Sequence, residues 1–456
     1  MVVGLVFFLF NGSPIGKRSD KMCINRMIAI AALAINVAIP MMAVADGTAR
    51  SGAALPTAAS ASSITIDSVT QRWPWNNKVD ITYTVNGGQD VSAGVYAKIV
   101  FTATINGEQY TIDGTSDVGA SASDGQHTVT WTPPSGLKVK ATDCTMVATL
   151  SASDAPSGDD YMIIDLDNYK ISYEGLLASQ EASNARYNTD TYKKSKMVLR
   201  KVPRWANKDS LPNAVSLTDG GYPTGDDKNY ATTNSRKYWP TQYDYYIGVF
   251  MVTAAQYDKV TGAGSSTSTI PKNRITWNSW RDSTDSDKPL APSSSGGFLA
   301  KLNYKTGKTG FDMPTEVMSE IAQRAGAKTD YTWGDTWDVT KCINRVGSGN
   351  HGGTSLPSDA YVGLCDPNNW GLYDTTGLLY EFCLDTYDET SNLSNNEDAF
   401  IPVCNGDATV ARSHGGGSYY TSKSATFYAS ARNNFGKSLS NNNTQTFGVR
   451  VAYIVK

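Results

Sequence analysis

Strict alternation of apolar and polar residues, begun near Ser63 and given up near residue 167, most limits how this chain folds. In KVDITYTVNGG, Val79, Ile81, Tyr83 and Val85 alternate with Asp80, Thr82 and Thr84, and the run stops at a Gly-Gly turn. A period of two puts successive side chains on opposite faces of a strand, one for a core and one for water. KIVFTATINGEQYTI repeats the device around Asn106-Gly107, a pair suited to a tight hairpin because it tolerates positive φ. HTVTWTPP, CTMVATL and YMIIDL supply further strands. Short strands separated by Gly, Pro and Asn predict an antiparallel β-sandwich over 63–167, immunoglobulin- or fibronectin-like. No catalytic constellation falls inside it, and a spacer or adhesion module is the expected role.

Residues 168–195 are polar and turn-prone and read as a connector. Beyond them neither alternation nor a long helical stripe persists. TAAQYDKVTG predicts a short helix with Thr253 as N-cap. PTEVMSEIAQRAG predicts another, with Pro in the first turn, Glu316 and Glu320 early, Arg324 late and Gly326 as the stop. The rest is turns and aromatics, so residues 196–456 read as an α+β domain of low regular secondary structure.

A chain of 456 residues can supply each of two domains with a core. The 40 Gly, 10 Trp and 25 Tyr suit a loop-rich fold with aromatic contact surface. A net charge of −3 gives no electrostatic pull toward nucleic acid or acidic membranes. Only His127, His351 and His414 are present, which limits any histidine-based site.

Residues 1–45 read as leader and signal peptide: from Met22 a basic residue and an apolar run lead to Ala43-Val44-Ala45, with cleavage expected after Ala45. The expectation is export, whether secreted, periplasmic or cell-surface, with no membrane span after cleavage. Residues 46–62 are small and polar, a flexible linker. Cys23 leaves with the signal. Cys144 shares a strand face with Met146 and Ala148 and reads as a lone buried thiol. Cys342, Cys365, Cys383 and Cys404 can pair in three ways, all open, and no C-x-x-C spacing points to zinc or a thioredoxin-type centre.

Two stretches are candidates for chemistry. HGGGSYYTSKSATFYASARNN, 414–434, lacks the Lys-Ser/Thr of a phosphate loop and the Gly-x-Ser-x-Gly of a nucleophile elbow, so its glycines read as a tight turn. NNWGLYDTTGLLYEFCLDTYDE, 368–389, sets Asp374 and Glu381 around a glycine turn, with Asp385 and Asp388 after them. Carboxylates plus turn carbonyls suit a hard cation such as Ca²⁺, and a paired-carboxylate glycosidase centre is the alternative.

Seven motifs now fall in register: YDYYIGVFMVTAAQYDKV (243–260), FDMPTEVMSEIAQRAG (311–326), YTWGD (331–335), NNWGLYDTTGLLYEFCLDTY (368–387), GGSYY (416–420), SARNN (430–434) and FGVRVAY (447–453). In this order they resemble the formylglycine-generating enzyme (sulfatase-modifying factor) family over about 196–456. The resemblance implies a variant of the C-type-lectin fold. It also implies copper-dependent oxidation of a substrate cysteine by two thiols placed soon after the Gly-Gly-Ser-Tyr motif. Thiolates are soft ligands that select Cu(I). Here the first position is Thr421 and the second falls near Ser424 to Thr426, with no cysteine after Cys404, so copper is not expected. Gly415 stands where the family keeps an arginine, and the family's Gly-Asn-Val-Trp-Glu-Trp is Gly377-Leu378-Leu379-Tyr380-Glu381-Phe382. The resemblance maps a structural calcium loop onto Asp374, Gly377, Leu379 and Glu381.

The function these readings favour is a catalytically degenerate, exported binding module for a protein or glycan ligand. Its expected contact residues are Ser418, Tyr419, Tyr420, Thr421, Phe427, Tyr428, Asn433 and Asn434, a mixture of aromatic area and adaptable amides. The alternatives are an active formylglycine-generating oxidase, or a related oxidoreductase acting on a protein cysteine, and a purely structural spacer.

Overall fold

A computed structural model describes residues 62–72, 77–112, 119–134, 136–202, 243–281, 288–327, 329–346, 356–386, 400, 402, 410–414, 416–422, 424–429, 432–436 and 445–455. The alternating segments become β1 (Ser63–Gln71), β2 (Val79–Asn86), β3 (Ala97–Ile105), β4 (Glu108–Thr111), β5 (Gly125–Trp131) and β6 (Cys144–Ala152). They form two antiparallel sheets of three strands, β1-β2-β5 and β4-β3-β6. Val79, Ile81, Tyr83 and Val85 face one core with Phe101, Ala103 and Ile105 of the other sheet. Asn106 and Gly107 turn the β3–β4 hairpin with φ of 51° and 85°. Cys144, Met146 and Ala148 do share a half-buried face against this core.

YMIIDL corrects the expected boundary at residue 167. It forms β7 (Tyr161–Asp165), which pairs with β8 (Ile171–Glu174) and joins a different sheet. The reason is visible in the run itself: Tyr161 to Ile164 are all buried, so the strand needs cover on both faces rather than one. Tyr161 and Ile163 enter one hydrophobic cluster, Met162 and Ile164 the other. The expected connector is likewise structured, with α1 (Gln180–Tyr187) and α2 (Asp190–Lys194) leading into β9 (Lys196–Val202).

The remaining elements are β10 (Tyr245–Gly248), α3 (Ala254–Thr261), α4 (Trp277–Arg281), α5 (Phe298–Thr306), β11 (Phe311–Asp312), α6 (Glu316–Arg324), β12 (Tyr380–Thr386), β13 (Val410–His414), β14 (Arg432–Gly436), β15 (Phe447–Gly448) and β16 (Ala452–Ile454). An antiparallel six-stranded sheet runs β11-β16-β10-β9-β7-β8 and divides the two clusters. A four-stranded sheet runs β14-β13-β12-β15, with β12 and β15 parallel. The second domain is thus sheet-rich with few and short helices.

Both expected helices form. Thr253 and Gln256 make a capping box at the start of α3, and Gly262 ends it at φ 71°. For α6 the N-cap is Thr315, whose hydroxyl accepts from the Met318 N–H, so Pro314 precedes the helix. The stop is Ala325, at φ 46°, one residue before the glycine expected to provide it. Every side chain of α6 is buried, which makes it the internal post on which the site rests.

Candidate functional site

β12 carries the centre. Its Glu381 pairs in register with Gly448 of β15, and Arg450, two residues on, returns its guanidinium to the same carboxylate. Arg450 Nε donates to both oxygens of Glu381 at 3.1 and 3.0 Å, and Nη2 donates to Oε1 at 2.7 Å. Nη1 donates to the Gly248 and Val249 carbonyls, and Nη2 also to the Tyr373 carbonyl. A guanidinium buried this deeply survives because each of its N–H-bearing nitrogens has an acceptor.

The turn before β12 is held in an unusual backbone. Asp374, Gly377 and Leu378 have φ of 56°, 79° and 62°. A Cβ on Gly377 would lie 2.5 Å from the Ile343 carbonyl oxygen, so only glycine fits. The turn is tied by Leu378 N–H to Ile343 O at 3.0 Å and by Tyr419 N–H to Leu378 O at 2.9 Å. It therefore gathers three distant segments, 342–344, 374–381 and 416–421.

Two of the expected calcium ligands, Asp374 and Glu381, already have partners within the protein. Asp374 Oδ2 accepts the Gly363 N–H at 2.6 Å, and both Glu381 oxygens face Arg450. Among the described residues no group of three or more His, Cys, Asp or Glu is placed to hold a metal ion. Ca²⁺ takes six to eight oxygens; the expected set offers two carboxylates, one of them paired with a guanidinium, and the carbonyls of Gly377 and Leu379. Burial pushes the Asp374 carboxyl up to about 6, against the Gly363 N–H and the charges of Arg450 and Lys193, which pull it down.

The glycines of 414–434 serve close packing. Gly416 and Gly417 have φ of 99° and 70°, and a Cβ on Gly417 would sit 2.4 Å from a Phe427 ring carbon. Phe427, Ser418 and Tyr419 are buried, so these three expected contact residues are internal. The correction has a simple cause: the glycine turn lets the Phe427 ring close over the strand. Tyr420 is 47% exposed, with the Arg345 guanidinium 5.1 Å from its ring centroid, and Thr421 and Tyr428 are half-buried. Asn433 and Asn434 lie on β14, in register with Ser413 and Arg412 of β13.

Thr421, at the first thiol position, has a fully engaged hydroxyl. Its Oγ1 accepts the Ser418 N–H at 3.0 Å and lies 3.2 Å from Ser418 Oγ and 2.9 Å from the Tyr380 hydroxyl. The described thiols, Cys144, Cys342, Cys365 and Cys383, lie at other positions of the chain. Cys383 Sγ is buried 3.6 Å from Ser319 Oγ. Burial raises the Cys342 thiol and pushes Cys365 up to about 12, so both are protonated at neutral pH. Cys404, the expected signal segment 22–45 and His351 lie outside the described residues.

Beside the turn is a cavity of ≈ 220 Å³ lined by Trp333, Lys341, Cys365, Asp366, Asn369 and Asp374, among others. Trp333 stacks on Tyr331 with ring centroids 5.2 Å apart and planes 4° apart, and Trp337 links this pair to Phe427. Sequence reasoning passed over Trp333, Trp337, Asn369 and Arg450. The YTWGD, NNWGLYD and FGVRVAY segments carry Trp333, Asn369 and Arg450, but say nothing of what surrounds each in space, and Trp337 lies outside every motif. A larger cleft of ≈ 1140 Å³ between Thr132–Pro134 and Pro289–Pro292 contains Arg281 and Asp312, already paired at 2.9 Å.

A sheet-rich domain with few helices, organised on a buried Arg–Glu pair beside a small polar cavity, is the class this geometry defines. The model of the sulfatase-modifying factor enzyme 1-like domain (FGE-sulfatase) matches residues 200–454, more than half of the chain, and the chain belongs to that family. A formylglycine-generating enzyme of Thermomonospora curvata is 25% identical over 180 residues, covering 37% of this chain and 52% of that protein. The chain therefore spans about half the length of this curated relative. Among solved structures, PvdO from Pseudomonas aeruginosa is 19% identical with a TM-score of 0.40, covering 59% of this chain and 97% of that one. CarF is 16% identical with a TM-score of 0.33, covering 52% and 97%, and the Major Tropism Determinant U1 variant is 14% identical with 0.27, covering 67% and 77%. Likenesses this distant do not bear on function. No helix among the described residues is long and apolar enough to cross a membrane.

Proposed function

We propose that this chain is an exported, non-oxidising member of its family that works as a binding module. The observation that carries the reading is Thr421: the position of the first expected thiol holds a hydroxyl committed to Ser418 and Tyr380. A hydroxyl is a hard, weakly acidic ligand and does not replace a thiolate toward Cu(I). The described thiols that remain are buried or raised in pKa, which disfavours the nucleophilic form. The two three-stranded sheets around one core are consistent with an immunoglobulin- or fibronectin-like spacer, and the irregular second domain with a lectin-like one. Export rests on the Met22 to Ala45 segment and its small-x-small end.

The test is copper titration of the full chain, followed by mass spectrometry of a peptide carrying the sulfatase cysteine motif. No stoichiometric Cu(I) and an unchanged peptide thiol are expected. One tightly bound equivalent with loss of the thiol refutes the reading and restores the oxidase.

A further inference from the structure

We propose that the cavity bounded by Trp333, Lys341, Asp366, Asn369 and Thr375 binds a single pyranose ring of an uncharged glycan. The inference rests on the binding-module reading and names its ligand class.

Size comes first. At ≈ 220 Å³ the cavity lies below the 300–1,000 Å³ usual for drug-sized ligands, which leaves room for one small ring. A peptide needs an extended groove or a free strand edge instead.

The walls then select the ring. Trp333 is the single aromatic residue of the lining and is half-buried. Its plane is set in advance: Tyr331 stacks on one face of it, and its Nε1 donates to the Thr336 carbonyl at 3.1 Å. Tyr331 is itself fixed by backbone bonds in both directions with Gly334, at 3.0 and 3.3 Å. A rigid indole offers apolar area to the C–H face of a sugar at little entropic cost.

Around it stand groups able to meet ring hydroxyls. Asn369 is exposed and Thr375 half-buried. Lys341 Nζ and Asp366 Oδ2, 3.2 Å apart at the rim, supply a donor and an acceptor whose charges cancel. Asn368, by contrast, shapes the floor. Its amide donates to the Ala322 and Gln323 carbonyls at the end of α6, and its oxygen accepts from Trp370 and Leu372 N–H. With one cation already paired to a carboxylate, the cavity lacks the basic cluster that phosphate or sulfate esters call for.

The probes are the methyl glycosides of glucose, galactose, mannose and N-acetylglucosamine. They are titrated into the full chain by tryptophan fluorescence and saturation-transfer NMR, to about ten times the ~1 mM dissociation constant expected of one ring. At least one should give a saturable response that Trp333→Ala weakens at least tenfold and Asn369→Ala severalfold. Asn369→Ala removes an exposed side chain, so it keeps the test valid if Trp333→Ala fails to fold. No saturable response, a response that both variants retain, or saturation by an alkylammonium salt in place of the glycosides overturns the inference. Failure here without peptide oxidation leaves the binding-module reading standing; peptide oxidation removes that reading whatever the sugars do.

Discussion

Asp374→Asn should stabilise this protein at neutral pH, and the gain should vanish in acid. Asp374 is 4% exposed, and burial holds its carboxyl at about 6 against an ordinary 3.8. An acid whose folded pKa lies above its unfolded value contributes its full share of stability below the unfolded pKa. That share drains away as pH rises through the folded one. Raising the carboxyl from 3.8 to about 6 makes the ionised form cost about 3 kcal/mol at neutral pH. Asparagine keeps an oxygen for the Gly363 N–H and carries no charge to desolvate. Urea unfolding of both proteins, in chelator, from about pH 4 to about pH 8 reads the difference directly. The two curves should coincide near pH 4 and part by up to about 3 kcal/mol above pH 7. A constant difference across the range, or a weaker variant at neutral pH, refutes the reasoning. Repeating the series in calcium separates the cases, because an ion bound to the ionised carboxylate would make the substitution destabilising.

Arg450→Met should cost about 3–5 kcal/mol in urea unfolding, because it strands the Glu381 carboxylate in the core; a loss under about 1 kcal/mol would mean that the pair is not structural. Gly417→Ala should cost about 1–3 kcal/mol and lower Tm, since its Cβ meets the Phe427 ring and its φ is 70°; an unchanged Tm would show that the ring moves freely. Chelator should leave the wild-type Tm unchanged, because Glu381 is already neutralised by Arg450; a fall of several degrees would restore calcium to the site.

Much of the fold was legible in the residues. Period-two runs gave β2, β3 and their Asn106-Gly107 hairpin, and the Thr253 box gave α3. These are local matters, settled by side-chain alternation and by the next few backbone groups. YMIIDL misled because a run without alternation says only that both faces are covered, not by which sheet. The end of α6 at Ala325 rather than Gly326 is a one-residue slip, within the ordinary latitude of a helix end, and both residues have positive φ.

The candidate site was legible in part. Asp374, Gly377 and Glu381 were recognisable as one turn, and the turn indeed gathers three segments. Their partners were not recognisable, because Arg450 lies 69 residues from Glu381 in sequence and reaches it only through the parallel pairing of β12 with β15. Ser418, Tyr419 and Phe427 have the composition of a contact surface, yet burial depends on what closes over them, and here the glycine turn admits the Phe427 ring.

By itself the sequence determined the strand-rich first half, the short helices, the family and the lack of any cysteine after Cys404, since each is written in residue identity or in spacing of a few positions. Tertiary structure decided which carboxylate is paired, which is merely buried and which aromatic walls a cavity. Those outcomes depend on distances between residues far apart in the chain, and burial and dielectric set their consequences only once the chain has closed.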